Sequence, residues 1–333
     1  MHSLREQPAR DVIQWVKLRA RQGSFDEYVA FLTNNADWPG MPLLAARGES
    51  TIPVDAPARD VLAYFANHAP RTGEGTLRLA RVERARGNAA KADALIVKAW
   101  REFGLDAATE ANFMAAHSRL LADHHTARLD NLLWQGASAA ARRMFPLVNT
   151  DWRLSSEARI ALRENRNGVD AAIEAVPAGF RNGAGLAYER YRWRLRKRRT
   201  GDAIALMMER STSAAALGRP AEWGSRRRSF ARDMMRDGKN RQAYALAANH
   251  FIGQGPGEEE EGNDYSDLEW LAGFIALRKL DNPQTALRHF QNHRAAVASP
   301  ISLGSEAYVR ALDHLRLEAG TAPASAFRTY RAR

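Results

Sequence analysis

The 333-residue chain contains no cysteine. That excludes disulfides, zinc–thiolate sites and thiol nucleophiles, and leaves the compartment open, because a cysteine-free protein is stable in either redox environment. Long apolar runs are missing too: no stretch approaches the roughly 20 uninterrupted apolar residues of a membrane-spanning helix. The start, Met1-His2-Ser3-Leu4-Arg5-Glu6, has no apolar signal-peptide core. Alternating β-branched runs, the mark of half-buried strands, do not occur. Neither does a Gly-rich phosphate loop, a dinucleotide fingerprint or a Gly-x-Ser-x-Gly elbow.

What the chain has is apolar material, positive charge and helix formers. Hydrophobic residues make up 45% and charged residues 26%, enough for a sizeable core and too apolar for a disordered polyelectrolyte. Forty-nine Lys and Arg against 38 Asp and Glu leave a net +11, which attracts polyanions: nucleic acid, anionic headgroups or an acidic wall polymer. Most of the cations are arginine, so part of the excess serves packing between helices.

Apolar positions recur at helical spacing. Val12, Ile13, Trp15, Val16 and Leu18 fall on one broad face, as an amphipathic helix requires. Short helices are punctuated by Gly or Asn followed by Ala, around Gly87-Asn88, Gly136-Ala137, Asn167-Gly168, Thr200-Gly201, Asp237-Gly238 and Asp281-Asn282. These signals stand roughly 30 to 50 residues apart, the range of helix-turn-helix repeats. The expected fold is all-α: a solenoid or superhelix of degenerate tetratricopeptide-like repeats, ring or horseshoe shaped, with a non-repetitive bundle as the alternative. We expect a single domain over 1–333, with a subdivision into N-terminal helices (1–75) and a repeat array (76–333).

Turn-rich segments at Trp38-Pro39-Gly40-Met41-Pro42 and Ile52 to Pro57 bracket a short helix. The stretch Gly253 to Asp264, with Glu258 to Glu261 at its centre, reads as a solvated acidic loop. The densest basic run, Arg190-Tyr191-Arg192-Trp193-Arg194, interleaves aromatics with cations and can hold phosphates or carboxylates. On a helix, Ala187, Tyr191 and Leu195 would form the buried stripe and leave the arginines wetter. Arg226-Arg227-Arg228, just after Trp223, is the second cluster. His289 and His293 share a helix face but lack a third ligand, so no metal site and no cofactor are expected. Trp100, Trp134 and Trp270 sit among apolar neighbours and read as core.

The order of several segments resembles a known family over nearly the whole chain. Phe25 to Leu32 leading to Asp37-Trp38-Pro39-Gly40-Met41-Pro42 looks like the opening of the helical superhelix of soluble lytic transglycosylases. So do Pro70-Arg71-Thr72-Gly73-Glu74-Gly75, Ala127 to Trp134, Leu186-Ala187-Tyr188-Glu189-Arg190, Leu217-Gly218-Arg219-Pro220, Glu269-Trp270-Leu271-Ala272-Gly273, Thr285 to Phe290, and Ser299-Pro300-Ile301-Ser302.

The resemblance implies a periplasmic protein whose partners are peptidoglycan glycan strands, with cell-wall proteins as further partners and nucleic acid not among them. In that family a separate lysozyme-like domain cleaves the bond between N-acetylmuramic acid and N-acetylglucosamine to leave 1,6-anhydro ends. Its Glu-Ser pair is followed by a Gly-Leu-Met-Gln element, which this sequence lacks. Glu49-Ser50 falls in the part resembling the superhelix, so no catalytic residue is expected. A full family member would continue beyond Arg333 into the enzyme. The expected role is non-catalytic glycan binding through Arg190, Arg192, Arg194, Arg226, Arg227 and Arg228; the alternative is a tetratricopeptide-like scaffold for another protein.

Overall fold

The computed structural model describes residues 3–253 and 259–297. Among these residues every regular element is helical. Contacts divide the chain into two compact units, residues 1–160 and 161–333, so residue 75 lies inside the first. The first holds α1 (Ser3–Arg19), α2 (Phe25–Asn34), α3 (Met41–Gly48), α4 (Ala58–Tyr64), α5 (Gly73–Ala85), α6 (Ala89–Glu102), α7 (Ala107–Leu121), α8 (His125–Gln135) and α9 (Ser138–Arg143). The division falls within α10 (Thr150–Arg163). The second unit holds α11 (Val169–Glu174), α12 (Ala184–Arg196), α13 (Thr200–Arg210), α14 (Ala214–Leu217), α15 (Gly224–Arg236), α16 (Asn240–Ala248), α17 (Glu259–Lys279) and α18 (Pro283–Ala296).

One joint recurs in both units. Three-residue links connect α5 to α6, α12 to α13, α15 to α16 and α17 to α18. In each the middle residue is left-handed: Gly87, Arg198, Gly238 and Asp281. Gly136 does the same between α8 and α9. The following amide reaches back over the last turn, from Asn88 to Glu83 O, Ala137 to Leu132 O, Arg199 to Arg194 O and Lys239 to Met234 O, each at 2.9 Å. This is the Schellman closure, which satisfies carbonyls that a helix end leaves without partners.

Five residues after each left-handed position comes an alanine with no exposed surface: Ala92, Ala141, Ala203, Ala243 and Ala286. A methyl there lets the second helix lie close against the first, so the Gly-then-Ala punctuation of the sequence is a packing rule as well as a turn signal. The joint between α12 and α13 differs from its sequence signal. Gly201 lies inside α13, and Arg198 takes the left-handed place. A side chain there costs about 1 kcal/mol relative to glycine. Arg198→Gly is therefore expected to raise the midpoint of thermal unfolding by a few degrees, read by circular dichroism.

Two other expectations change. Leu18 is fully buried against Tyr28 and Leu44, but Val12, Ile13 and Val16 are 49%, 69% and 54% exposed. Only the C-terminal part of α1 finds a surface to pack on, so its apolar stripe is half covered. The acidic stretch is not all loop either, because α17 begins at Glu259 and includes Glu260 and Glu261. Glu258 and Ser299 to Ser302 lie outside the described residues.

Arginine explains much of the interior. At least ten arginines donate to main-chain carbonyls. Several reach helix C-termini, where carbonyls are free and the dipole is negative. Fully buried Arg128 reaches Trp100 O at 2.6 Å and Phe103 O at 3.3 Å at the end of α6, pairs with Glu110 at 2.8 Å, and lies 4.4 Å over the Trp100 ring. Arg196 does the same for Leu162 O in α10 at 2.6 Å.

Candidate binding surface

Helix α12 places its basic residues by register. Ala187 and Tyr191 are buried, and Tyr191 packs on fully buried Trp223 at 4.6 Å between ring centres. Tyr188 joins them and donates its hydroxyl toward Glu222 at 3.2 Å. With that face committed inward, Arg192 is exposed and lies 5.8 Å over the Tyr188 ring, while Arg190 is half-buried. Neither makes an ion pair among the described residues. Arg194 donates to Asp202 O at 2.9 Å, which ties α12 to α13.

Helix α15 sorts its three consecutive arginines in the same way. Trp223, Gly224, Arg227, Phe230 and Ala231 form the buried stripe. Arg227 has no exposed surface; it donates to Leu246 O at 2.9 Å, Asn249 O at 3.1 Å and the Ser211 hydroxyl at 2.7 Å. Burial lowers its pKa to about 10, so it remains charged at neutral pH. Arg228 is paired with Asp267 and, at 3.5 Å, with Asp264. Arg226 is exposed and makes no ion pair among the described residues. Of the six arginines singled out in the sequence, Arg190, Arg192 and Arg226 keep a guanidinium with neither ion pair nor hydrogen bond among the described residues. Arg194, Arg227 and Arg228 hold the fold, and Arg227 is out of reach of any ligand.

The surrounding segment concentrates the charge. Residues 161–250 contain 19 Lys and Arg against 9 Asp and Glu, a net +10 out of the chain's +11. That concentration is countable in the sequence, and it marks one segment of the second unit as the polyanion-attracting part.

The remaining candidates resolve into structure. Glu49 is buried and accepts hydrogen bonds from the Arg71 amide at 2.8 Å, the Thr72 amide at 2.7 Å and the Thr72 hydroxyl at 2.6 Å. Burial raises its pKa against those bonds. Its carboxylate holds the entry of α5, and a Cβ on Gly75 would overlap it. His289 and His293 do not converge: His289 Nδ1 bonds Glu269 at 2.7 Å, whereas His293 Nδ1 meets Ser266 O at 2.9 Å. Glu269, Tyr244, His250, His289 and Asn292 form a buried polar network that sequence inspection did not find, because its members come from four separate segments. Trp100 and Trp134 are buried, and Trp270 stacks on Phe274 at 5.3 Å. Among the described residues no group of three His, Asp or Glu side chains has the geometry of a metal site, and no helix is long and apolar enough to cross a membrane. No protein-family model, no curated protein and no solved structure matches the chain.

Proposed function

We propose that this chain is a non-catalytic helical-repeat scaffold, the superhelical region of a periplasmic peptidoglycan lytic transglycosylase, which holds glycan strands by their peptide carboxylates for a separate catalytic domain. The observation that carries the reading is the net +10 of residues 161–250, with Arg190, Arg192 and Arg226 left without ion partners among the described residues. Such guanidiniums bind carboxylates as two-pronged partners at little rearrangement. The ordered resemblance of segments, from Phe25 through Phe290, supplies the wall polymer as the polyanion.

The test is co-sedimentation of the full chain with purified peptidoglycan, with mass-spectrometric detection of anhydromuropeptides in the same tube. The expected result is salt-sensitive sedimentation without product. Combining Arg190→Glu, Arg192→Glu and Arg226→Glu is expected to weaken retention at least tenfold, since three attractions become repulsions. Unchanged retention by that variant, or release of anhydro product, would defeat the proposal. A second reading, a scaffold for another protein, draws on the exposed Val12, Ile13 and Val16 of α1. Its mark is retention unaffected by the arginine changes and abolished by Ile13→Asp.

A further inference from the structure

The first unit contains a groove of about 470 Å³ unrelated to the basic arginines of α12 and α15. Five segments meet there: the turn after α1, helix α3, the entry of α5, the connection from α6 to α7, and the start of α7. Its lining carries both signs. Arg21 comes from the turn after α1, Arg47 from α3, and Arg71 and Glu74 from the entry of α5; Glu102 ends α6, and Asp106 caps α7.

Among the described residues no ion pair joins the arginines of this lining to its carboxylates. Arg21 and Arg71 are exposed and make no ion pair among the described residues, and Arg47 uses its guanidinium on Arg19 O with Nε left unpartnered. Of the carboxylates, Glu74 accepts the Thr109 hydroxyl at 2.8 Å through one oxygen and has Arg78, one turn on, within electrostatic reach. Asp106 is committed to the Thr109 amide at 2.7 Å, as the cap of α7. The Glu102 carboxylate has Lys98 at 4.0 Å. Phe103 and Leu105 add apolar surface to the lining. A ligand that matches this lining carries both carboxylate and cation.

We propose that this groove binds a short zwitterionic peptide, its carboxylates held by Arg21 and Arg71 and its free ammonium by Glu74 and Glu102. The inference rests on the peptidoglycan reading for the source of such a peptide, since wall stem peptides combine free carboxylates with a free amine on a diamino acid. Two-pronged bonds from guanidinium to carboxylate supply orientation, and the carboxylates of the same lining reject a ligand that is only anionic.

The experiment is calorimetric titration of the full chain with a synthetic acidic tetrapeptide bearing two free carboxylates and one free side-chain amine. Two analogues run beside it, one with the carboxylates amidated and one with the amine acetylated. Saturable binding of the parent peptide is expected, weakened at least tenfold in both analogues and in Arg71→Gln, Arg21→Glu and Glu74→Gln. Glu74→Gln keeps an acceptor for Thr109, and Arg21→Glu alters an exposed turn residue, so these variants fold. Absence of parent binding overturns the proposal. So does equal binding of the acetylated analogue, which would make this a plain anion site, or loss of binding in Arg190→Glu, which would place the site elsewhere. The glycan-strand reading stands or falls separately, because its assay depends on Arg190, Arg192 and Arg226.

Discussion

Arg227→Ala is expected to destabilise the second unit by about 4 kcal/mol, whereas Arg226→Ala, one residue away, changes stability by less than about 0.5 kcal/mol. The difference follows from where each guanidinium ends. Removing the Arg227 side chain leaves Leu246 O, Asn249 O and the Ser211 hydroxyl facing a void beside Trp223 and Phe230. Hydrogen bonds from a charged donor are worth about 1.5–3 kcal/mol each, and the cavity adds to their loss. Arg227→Met fills most of the space yet leaves the same acceptors orphaned, so it is expected to recover less than half. Arg227→Lys keeps the charge but cannot reach three acceptors in one fork. Amide hydrogen exchange in α15 and α16 is the suitable measurement, because a chain of two compact units need not unfold in one step. Loss of protection confined to α16 would show that Arg227 acts as the cap of that helix; equal protection in Arg227→Ala and wild type would refute the assignment.

The same three residues show how far the sequence could be read. Adjacent arginines on a helix point about 100° apart, so a run of three necessarily faces three environments. The spacing of Trp223, Phe230 and Ala231 already put Arg227 on the buried stripe, and that reading was open to inspection. The acceptors were not, since Leu246 and Asn249 belong to the end of a helix whose position depends on how α15 and α16 pack. For α12 most of the stripe was legible: Ala187 and Tyr191 are buried as the spacing required, while Leu195 at its end is half-buried. The hairpin joints were legible where glycine marks them and misplaced at Arg198, because only the backbone shows that a non-glycine residue has taken the left-handed position. The groove of the first unit was not legible at all, since Arg21, Arg71 and Asp106 lie far apart along the chain.

Acid titration is expected to remove about 3 kcal/mol from the second unit through one carboxylate, Glu269. Burial alone would raise its pKa from 4.5, but hydrogen bonds from His250 at 3.0 Å and His289 at 2.7 Å outweigh it and bring the value to about 2. The Asn292 amide adds a third donor at 3.2 Å. The folded pKa lies below the unfolded one, so the folded state binds this proton less readily. The contribution is therefore complete above about pH 5 and is lost as pH falls through 4.5 toward 2.

The tautomers sharpen the prediction. The Ile252 amide donates to His250 Nδ1 at 3.0 Å, so Nε2 carries the proton offered to Glu269. His289 has Tyr244 on its other nitrogen, at 3.0 Å, and can reverse its tautomer against the Tyr244 hydroxyl. Glu269→Gln can thus keep an acceptor for His250 and turn its amide NH₂ toward His289, at a cost well below that of Glu269→Ala, which takes the Glu269 acceptor from His250, His289 and Asn292 together. Chemical unfolding of wild type and both variants between pH 3 and 7 separates the terms. Wild type is expected to lose stability steeply below pH 5, and Glu269→Gln to start lower at pH 7 and fall less. Parallel curves for the two proteins would mean that acid acts on the unit through some other group.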